Sequence, residues 1–395
     1  MSRHPDRVLV AVALSAGPFV GLGLARFAYA LLLPPMRAEL SWTYSQAGVL
    51  NTANAIGYLV GALVAAQLAG RIGTGRAFLL GCALTTVSVL LTAVSTVYGV
   101  LLTMRLLAGI GGAWAFVLGA VLVAAAGAKG SAGRAAVMLG IYYAGTGAGM
   151  TVAGLVVPWV LDETGGTGWR LGWVMLAGMG LLATVVAGLA LRHTQDPEQP
   201  ALDQRSWRRR SIGWLSASYA CFGLGYIAYL TFVVAYLQEQ GVGQRTTAAF
   251  WVVLGLAAVG GVLAWARLLG RLGGSRSMTV VLLALAAGTV LPVIVPQTWA
   301  FFVSGIVVGG TFLSAVTAMT VGVRRLLPTA QWTSALAFTT IAFGLGQTLG
   351  PWLSGLVADR FGGLASGLVF SAGVLVIGAI VAIPQQEPRT LAQRG

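Results

Sequence analysis

The chain has 395 residues, of which 57% are hydrophobic and 9% are charged. A soluble globular domain carries about 25% charged residues, so the composition excludes a soluble enzyme or binding module and indicates an integral membrane protein. The formal net charge is +14, but the 24 basic residues are scattered along an apolar chain. A nucleic-acid-binding protein would gather them into one patch or stripe, so nucleic acid is not an expected partner.

Apolar windows long enough to cross about 30 Å of hydrocarbon follow one another along the whole sequence. There are twelve, at residues 8–33, 46–70, 77–97, 99–127, 135–160, 170–191, 212–237, 247–269, 278–295, 299–322, 332–357 and 364–383. They predict an all-α membrane protein with twelve transmembrane helices. The first window is longer than the apolar core of a signal peptide, so we expect it to stay as the first helix.

The basic residues predict the topology. With the N-terminus in the cytoplasm, 18 of the 24 basic residues fall in cytoplasmic segments, 4 fall on the other side, and 2 lie within spans. Short cytoplasmic loops of membrane proteins carry an excess of Arg and Lys. The expected arrangement is therefore a multi-pass protein with both termini in the cytoplasm.

The spans form two sets of six. The charged, proline-containing segment 192–211 separates them, which predicts an N-terminal half at 1–191, a cytoplasmic linker at 192–211 and a C-terminal half at 212–395. GRIGTGR at 70–76 returns as GRLGGSR at 270–276. Two repeated six-helix halves related by pseudo-symmetry are an architecture of secondary transporters, with the substrate near the midplane.

These features resemble the major facilitator superfamily over essentially the whole chain. GRIGTGR is similar to its loop motif, although Gly70 stands where an acid is usual, and LLTMRLLAGIGGA at 101–113 resembles its span-4 motif. RFAYALLLPPM and NTANAIGYLVGAL look like the YbfB/YjiJ-type branch. The resemblance implies a bacterial inner-membrane transporter for small molecules that works as a monomer in the lipid bilayer.

Two arginines lie well inside predicted spans, away from the span ends, whereas no Asp, Glu or His lies within a span. Arg26 is in span 1 and Arg105 is in span 4, the span in which the superfamily links a buried Arg to proton coupling. A guanidinium pairs with carboxylate or phosphate in bidentate fashion, which favours a substrate with an anionic group, alone or within a zwitterion. In the alternative interpretation, both guanidiniums bond helix carbonyls, hydroxyls and waters and hold spans 1 and 4 in register.

Helical spacing gives further candidates for the substrate site. They are the polar stripe Asn51, Asn54 and Tyr58 in span 2, the aromatic stripe Tyr219, Phe222, Tyr226 and Tyr229 in span 7, and the single residues Tyr29, Tyr142 and Gln347. Each could instead serve interhelical packing, as polar residues commonly do in membranes. The span-7 stripe is the expected apolar wall of the pocket, so the substrate should have a polar end and an apolar end.

The predicted function is secondary transport by alternating access. No GxxxxGK[ST] sequence supports an ATP-driven pump. A proton is the candidate coupling ion, and the coupling or gating candidates are Arg105, Glu39, Asp359, Arg71 and Arg271. A proton carried by the substrate or by a tyrosine, anion exchange and facilitated diffusion are open alternatives.

Two other functions compete with a carrier of anions or zwitterions. A broad-specificity drug/proton exporter would be favoured by an acid in the cavity. A membrane receptor or enzyme on a transporter scaffold would need a His/Asp/Ser constellation or a metal cluster within the spans. Cys82 and Cys221 lie in different halves, and His4 and His193 lie in polar segments, so we expect no metal site and no cofactor.

Overall fold

The computed structural model describes residues 7–128, 132–192, 212–272, 274–328 and 331–385. Twelve long helices run through these residues, and the described ranges contain no strand. The helices are α1 (Val8–Leu40), α2 (Tyr44–Ile72), α3 (Thr74–Thr92), α4 (Tyr98–Ala128), α5 (Ala132–Glu163), α6 (Trp169–Leu191), α7 (Gly213–Glu239), α8 (Gln244–Leu272), α9 (Gly274–Ile294), α10 (Thr298–Leu326), α11 (Trp332–Arg360) and α12 (Leu364–Ala382). Ten of them, all except α8 and α11, are long and apolar enough to cross a membrane by length and composition.

Helix α1 is longer than its predicted window and is irregular inside. A π-helical segment, Phe19–Phe27, interrupts the α-helix, and the helix then continues to Leu40 through Pro34 and Pro35. Prolines lack the N–H of a regular helix, so the sequence indicated an end near residue 33. Arg26 is therefore 14 residues from the end of α1 at Leu40, about 20 Å along the helix at 1.5 Å per residue.

The window 77–97 was too long at its C-terminal end. Helix α3 ends at Thr92, and α4 begins at Tyr98, so the connection between them is longer than the predicted turn at Tyr98 alone. Ala93, Val94 and Val97 in this connection are apolar, and hydropathy does not distinguish an apolar turn from the end of an apolar helix.

Equivalent helices pack together within the two sets of six. Helix α4 packs along α2 and α3, and α10 packs along α8 and α9. Between the sets, α2 packs along α11, and α5 packs along α8. A Cβ atom at Gly48 of α2 would lie 2.2 Å from the carbonyl oxygen of Pro351 on α11, so this close approach requires glycine.

The acidic residues of the described ranges lie at one end of the bundle. All five acids in the described ranges lie where α1 meets α2, α5 meets α6, α7 meets α8 and α11 meets α12, and they are Glu39, Asp162, Glu163, Glu239 and Asp359. We name this the closed end, because side chains join the two halves there. The other end, where α2 meets α3 and α6 ends, is named the linker end. The predicted linker itself, apart from Arg192, lies outside the described residues, as do His4 and His193.

Hydrogen bonds join the two halves at the closed end. The backbone N–H groups of Tyr44 and Ser45, in the first turn of α2, both donate to the Asp359 carboxylate of α11 at 2.8 Å. The Tyr44 hydroxyl donates to Glu239 of α7, and the Arg37 guanidinium lies 3.7 Å from the centroid of the Tyr44 ring. Two carboxylates of one half therefore hold the first turn of α2 in the other half.

Candidate functional site

Arg26 lies at the contact between the halves, in the last turn of the π-helical segment of α1. Its side chain is 3% exposed, and its Nη2 donates to Oε1 of Gln347 on α11 at 2.5 Å. The guanidinium lies 5.5 Å from the ring centroid of Tyr58. Its Nε has no hydrogen-bond partner, and no carboxylate of the described residues forms an ion pair with it. Arg26 is thus a buried cation with an unused donor.

Gln347 has an unused donor as well. Its side chain is fully buried, and its Oε1 accepts from Arg26 and from the Tyr226 hydroxyl, the latter at 3.2 Å. Its Nε2 has no partner among the described residues. Most buried polar side-chain atoms in proteins have a hydrogen-bond partner. We name Arg26 and Gln347 the anchor pair; both of its unused groups are donors, which suits a ligand that supplies acceptor oxygens.

Arg105 differs from Arg26 because it bonds two helices of its own half, although its Nε, like that of Arg26, has no partner among the described residues. It donates through Nη1 to the carbonyl oxygen of Ala25 on α1 and through Nη2 to Oδ1 of Asn51 on α2 at 3.1 Å. Asn54 donates back to the carbonyl oxygen of Arg105 at 3.1 Å, and the Tyr29 ring centroid lies 4.8 Å from the guanidinium. Arg105 therefore ties α4 to α1 and α2.

A polar chain continues from Arg105 into the other half. Asn51 Nδ2 donates to the Thr231 hydroxyl of α7 at 2.6 Å, and that hydroxyl donates to the carbonyl oxygen of Ile227 at 2.6 Å. Both Nη atoms of Arg105, the Asn51 amide and the Thr231 hydroxyl have partners along this chain, which reduces the cost of their burial. Asn51 consequently links Arg105 to the C-terminal half.

Aromatic rings line the contact beside the anchor pair. Four of them stack with centroids 4.6–5.8 Å apart and planes 14–22° from parallel, and they are Tyr219, Phe222, Tyr226 and Phe343. We name these four residues the aromatic wall. The Tyr226 ring also stacks on Phe312 of α10 at 5.9 Å, and Phe312 meets Phe27 of α1 edge to face at 5.9 Å. Because Tyr226 also donates to Gln347, the wall adjoins the anchor pair.

Comparison with known proteins identifies the family. A family model described as "Uncharacterised MFS-type transporter YbfB" matches residues 18–383. The chain belongs to this family. The YbfB-type chain is therefore a membrane transporter and not an enzyme, and the resemblance seen in the sequence is confirmed.

One sequence relative and two solved structures are similar to the YbfB-type chain. It is 25% identical over 261 residues to the "Multidrug efflux protein YfmO" of Bacillus subtilis (strain 168), an alignment that covers 62% of this chain and 63% of that relative's length. Its fold is similar to that of a bacterial homolog of the human lysosomal transporter Spinster in an inward-facing, unoccupied conformation, with TM-score 0.77, 16% identity and 99% and 100% of the two chains covered. The fold is also similar to that of a mutant of the nucleoside transporter NupG, with TM-score 0.79, 15% identity and 96% and 100% covered.

The structure brings together some of the predicted substrate-binding residues. Arg26, Tyr58, Gln347 and the α7 residues Tyr219, Phe222 and Tyr226 lie in one connected group. Phe343 and Phe312 belong to the same group and were missed from the sequence. Phe343 is one helical turn before Gln347, so the spacing rule applied to span 2 and span 7 would have found it on span 11.

Other predicted site residues have their polar groups bonded within the protein. The Tyr29 hydroxyl donates to the carbonyl oxygen of Ala47 at 2.9 Å, and the Tyr229 hydroxyl bonds Ser304 at 2.6 Å. The Tyr142 hydroxyl contacts the carbonyl oxygens of Ala115 and Phe116 on α4 at 3.0 and 2.6 Å. In this conformation these hydroxyls hold helices together.

The coupling candidates lie in three different environments. Glu39 of α1 accepts from Trp169 Nε1 at 2.6 Å and from Arg170 at 2.8 Å, both on α6 in the same half. Asp359 bonds across the halves, whereas Arg71 and Arg271 are exposed at the linker end. No group of three or more His, Cys, Asp or Glu in the described ranges is arranged to hold a metal ion.

Proposed function

We propose that this YbfB-type protein is a secondary transporter that moves a small organic solute with an anionic group, alone or within a zwitterion, by alternating access. The proposal includes twelve membrane spans in two pseudo-symmetric halves, a bacterial inner-membrane location and cytoplasmic termini. The matching helix pairs within the halves, and the pairing of α2 with α11 and of α5 with α8, support the pseudo-symmetry. The excess of cations at the linker end supports the orientation.

The single observation that carries the proposal is the anchor pair. An intramembrane guanidinium is costly to bury, and a role in binding usually accounts for it. Arg26 has an unused Nε, and the Nε2 of its partner Gln347 is also unused. A carboxylate can accept from two nitrogens of one guanidinium, and such charge-assisted bonds are about twice as strong as neutral ones. A carboxylate or phosphate on the solute would satisfy the donors that the protein leaves unbonded.

The aromatic wall supports an apolar end of the same solute. Tyr226 belongs to the wall and also bonds Gln347, so the polar and apolar parts of the site are contiguous. Tyr58 lies on the side of Arg26 that belongs to the N-terminal half. Ligand pockets of transporters and enzymes combine apolar and aromatic linings with a few placed polar groups. The expected solute is therefore an organic acid or zwitterion with a planar or apolar body.

Alternating access requires that contacts between the halves break and re-form. The anchor pair joins α1 to α11, so a ligand that replaces Gln347 at Arg26 would change the contact between the halves directly. Asp359 and Glu239 add further bonds at the closed end. We place gating at these closed-end bonds. The coupling ion that we propose is a proton, and Asp359, unlike the other candidate carboxylate Glu39, bonds across the two halves.

A second function, broad drug export, is favoured by one specific observation. The YbfB-type chain is 25% identical over 261 residues to a protein named as a multidrug efflux protein. The aromatic wall would also suit flat lipophilic compounds. In that function Arg26 would hold the halves together and would not bind the solute.

Ligand-dependent thermal unfolding of the purified protein separates these functions. A ligand at 100 times its Kd stabilises the native state by about 2.7 kcal/mol. We expect carboxylates and zwitterions with an apolar body to raise the Tm of the wild type and of the control Tyr229→Phe, but not that of Arg26→Ala. If lipophilic cations alone raise the Tm, and do so equally in Arg26→Ala, the drug-exporter function replaces the proposal.

A further inference from the structure

A groove on the surface of the N-terminal half lies between the first turns of α3 and the last turns of α6 at the linker end. Its volume is about 670 Å³, and Arg76 and Arg192 stand in its lining. The rest of the lining is apolar or glycine, including Leu79, Val185 and Leu189. Val185 is 49% exposed and Leu189 is 52% exposed, so the groove opens at the surface of the bundle. It is separate from the anchor pair, which lies between the halves.

The charge of the groove is of one sign. Arg76 and Arg192 are both exposed, and no acidic residue belongs to the lining. The five acids of the described ranges lie at the closed end, a full helix length away. Two guanidiniums in one groove, without a carboxylate of the described residues beside them, form a site for an anion with several acceptor oxygens.

The position of the groove along the helices determines which anion can reach it. Helix α3 begins at Thr74 and α6 ends at Leu191, so both arginines lie within one turn of a helix end. Helix ends of this kind lie at the level of the lipid headgroups. Leu79 and Val185 are further along the two helices, towards the middle of the span. An occupant must therefore be anionic at the helix ends and apolar below them.

We propose that this groove binds an anionic phospholipid, with its phosphate on Arg76 and Arg192 and its acyl chains on the apolar floor. Basic pockets between membrane helices are suited to such headgroups. The C-terminal half offers a natural comparison. Arg276 stands 200 positions after Arg76, at the start of α9, but residues 383–385, which follow α12 in the described range, contain no cation. The paired arginines are thus a feature of the α3–α6 groove among the described residues.

The test is a lipid titration of the full-length, delipidated protein in detergent, read by thermal unfolding. The ligands are phosphatidylglycerol, the zwitterionic phosphatidylcholine, and glycerol 3-phosphate as a soluble phosphate. The proteins are the wild type, Arg76→Gln, Arg192→Gln, the double variant and the matched control Arg276→Gln. Because all three arginines are exposed, the variants should fold, and their unfolding without lipid checks this.

A juxtamembrane cation contributes about 1 kcal/mol to binding of an anionic lipid, which is about fivefold in affinity. We expect phosphatidylglycerol to bind the single variants about fivefold more weakly and the double variant about thirtyfold more weakly, with Arg276→Gln unchanged. Unchanged binding in the double variant, or an equal loss in Arg276→Gln, would overturn the proposal in favour of diffuse attraction to all surface cations. If glycerol 3-phosphate stabilised the protein as much as phosphatidylglycerol does, the groove would be a site for soluble phosphates and the proposal would be overturned. If phosphatidylcholine did so, the lipid's negative charge would play no part in binding, which would also overturn the proposal.

Discussion

The guanidinium of Arg26 on α1 donates to the amide oxygen of Gln347 on α11, and this bond joins residues 321 positions apart at the contact between the two halves. The partner is a neutral amide, so the positive charge of Arg26 is solvated by one acceptor but is not neutralised. A carboxylate can occupy this position more strongly than a neutral amide, because it adds charge attraction to the hydrogen bond and can accept from two nitrogens of the guanidinium. The bond therefore marks the place at which a carboxylate ligand would compete.

Gln347→Glu places a carboxylate on the protein at this position. We expect the new side chain to pair with Arg26, to raise the Tm and to weaken the binding of anionic ligands at least tenfold, which corresponds to about 1.4 kcal/mol. Ligand-dependent thermal unfolding and transport in proteoliposomes measure the two effects. Gln347→Met is the control. It keeps the length of the side chain but has neither the carboxylate of Gln347→Glu nor the amide of the wild type, so Arg26 should stay available to the ligand. Tight binding of anionic ligands by Gln347→Glu would refute a binding role for Arg26.

Arg105 is expected to respond differently from Arg26 because its guanidinium bonds α1 and α2. Arg105→Gln breaks both bonds and leaves the Ala25 carbonyl and the Asn51 amide short of a donor. Leaving a buried acceptor without its donor costs about 1–3 kcal/mol for each group, so the Tm should fall markedly. Arg26→Gln, which loses one bond, is the matched comparison and should lower the Tm less. An equal fall for both variants would contradict the assignment of Arg105 to architecture.

Phe343 tests the aromatic wall independently of the charge. Its ring stacks on Tyr219 at 4.9 Å and on Phe222 at 5.4 Å, and the side chain is only partly buried. Phe343→Ala should weaken the binding of solutes with a planar body by about two- to twelvefold, since a stacked aromatic pair adds about 0.5–1.5 kcal/mol beyond its buried area. The readout is the Kd of a planar and of a non-planar acid with the same charged group. Equal losses for both acids would show that the wall packs helices and does not select the solute.

The fold was largely predictable because apolar windows of membrane length mark the helices, and twelve such windows correspond in order to twelve helices in the described residues. Arg26 and Arg105 were recognisable because a charge within an apolar window is rare. Their different surroundings could not be predicted. Whether a guanidinium meets a carbonyl, an amide or an aromatic ring depends on the rotation of neighbouring helices, which hydropathy does not contain. The contact of Arg26 with Gln347 depends on the packing of the two halves.

The acids illustrate the same limit. Glu39 and Asp359 both stand near a predicted helix end, and the sequence treated them as equivalent coupling candidates. In the structure Glu39 bonds within its own half, and Asp359 bonds across the two halves. The difference arises from which helix end lies opposite each carboxylate. Local sequence does not carry this information.

Glu39→Gln is therefore expected to have a small effect. The Glu39–Arg170 ion pair is 2.8 Å long, but its side chains are 39% and 41% exposed, and exposed pairs contribute about 0–1 kcal/mol. Both residues also belong to the same half, so their bond does not change when the halves move. The Tm should shift by only a few degrees, and the pH dependence of transport should match that of the wild type. A displaced pH profile in Glu39→Gln would restore Glu39 as a coupling residue.

Asp359→Ala should weaken the closed end, because it removes both bonds to the first turn of α2 in the other half. A carboxylate at a helix N-terminus also interacts favourably with the helix dipole, so the loss favours separation of the halves. The measurement is the alkylation rate of Thr52→Cys in a protein in which Cys82 and Cys221 are replaced. Thr52 is a suitable position because its hydroxyl donates to the Thr348 carbonyl oxygen across the two halves. We expect Asp359→Ala to be labelled several-fold faster than its parent. The control Asp162→Ala removes an exposed carboxylate of α5, also at the closed end, and should leave the labelling rate unchanged. Equal labelling in Asp359→Ala and its parent would show that the other closed-end contacts hold the halves together without Asp359.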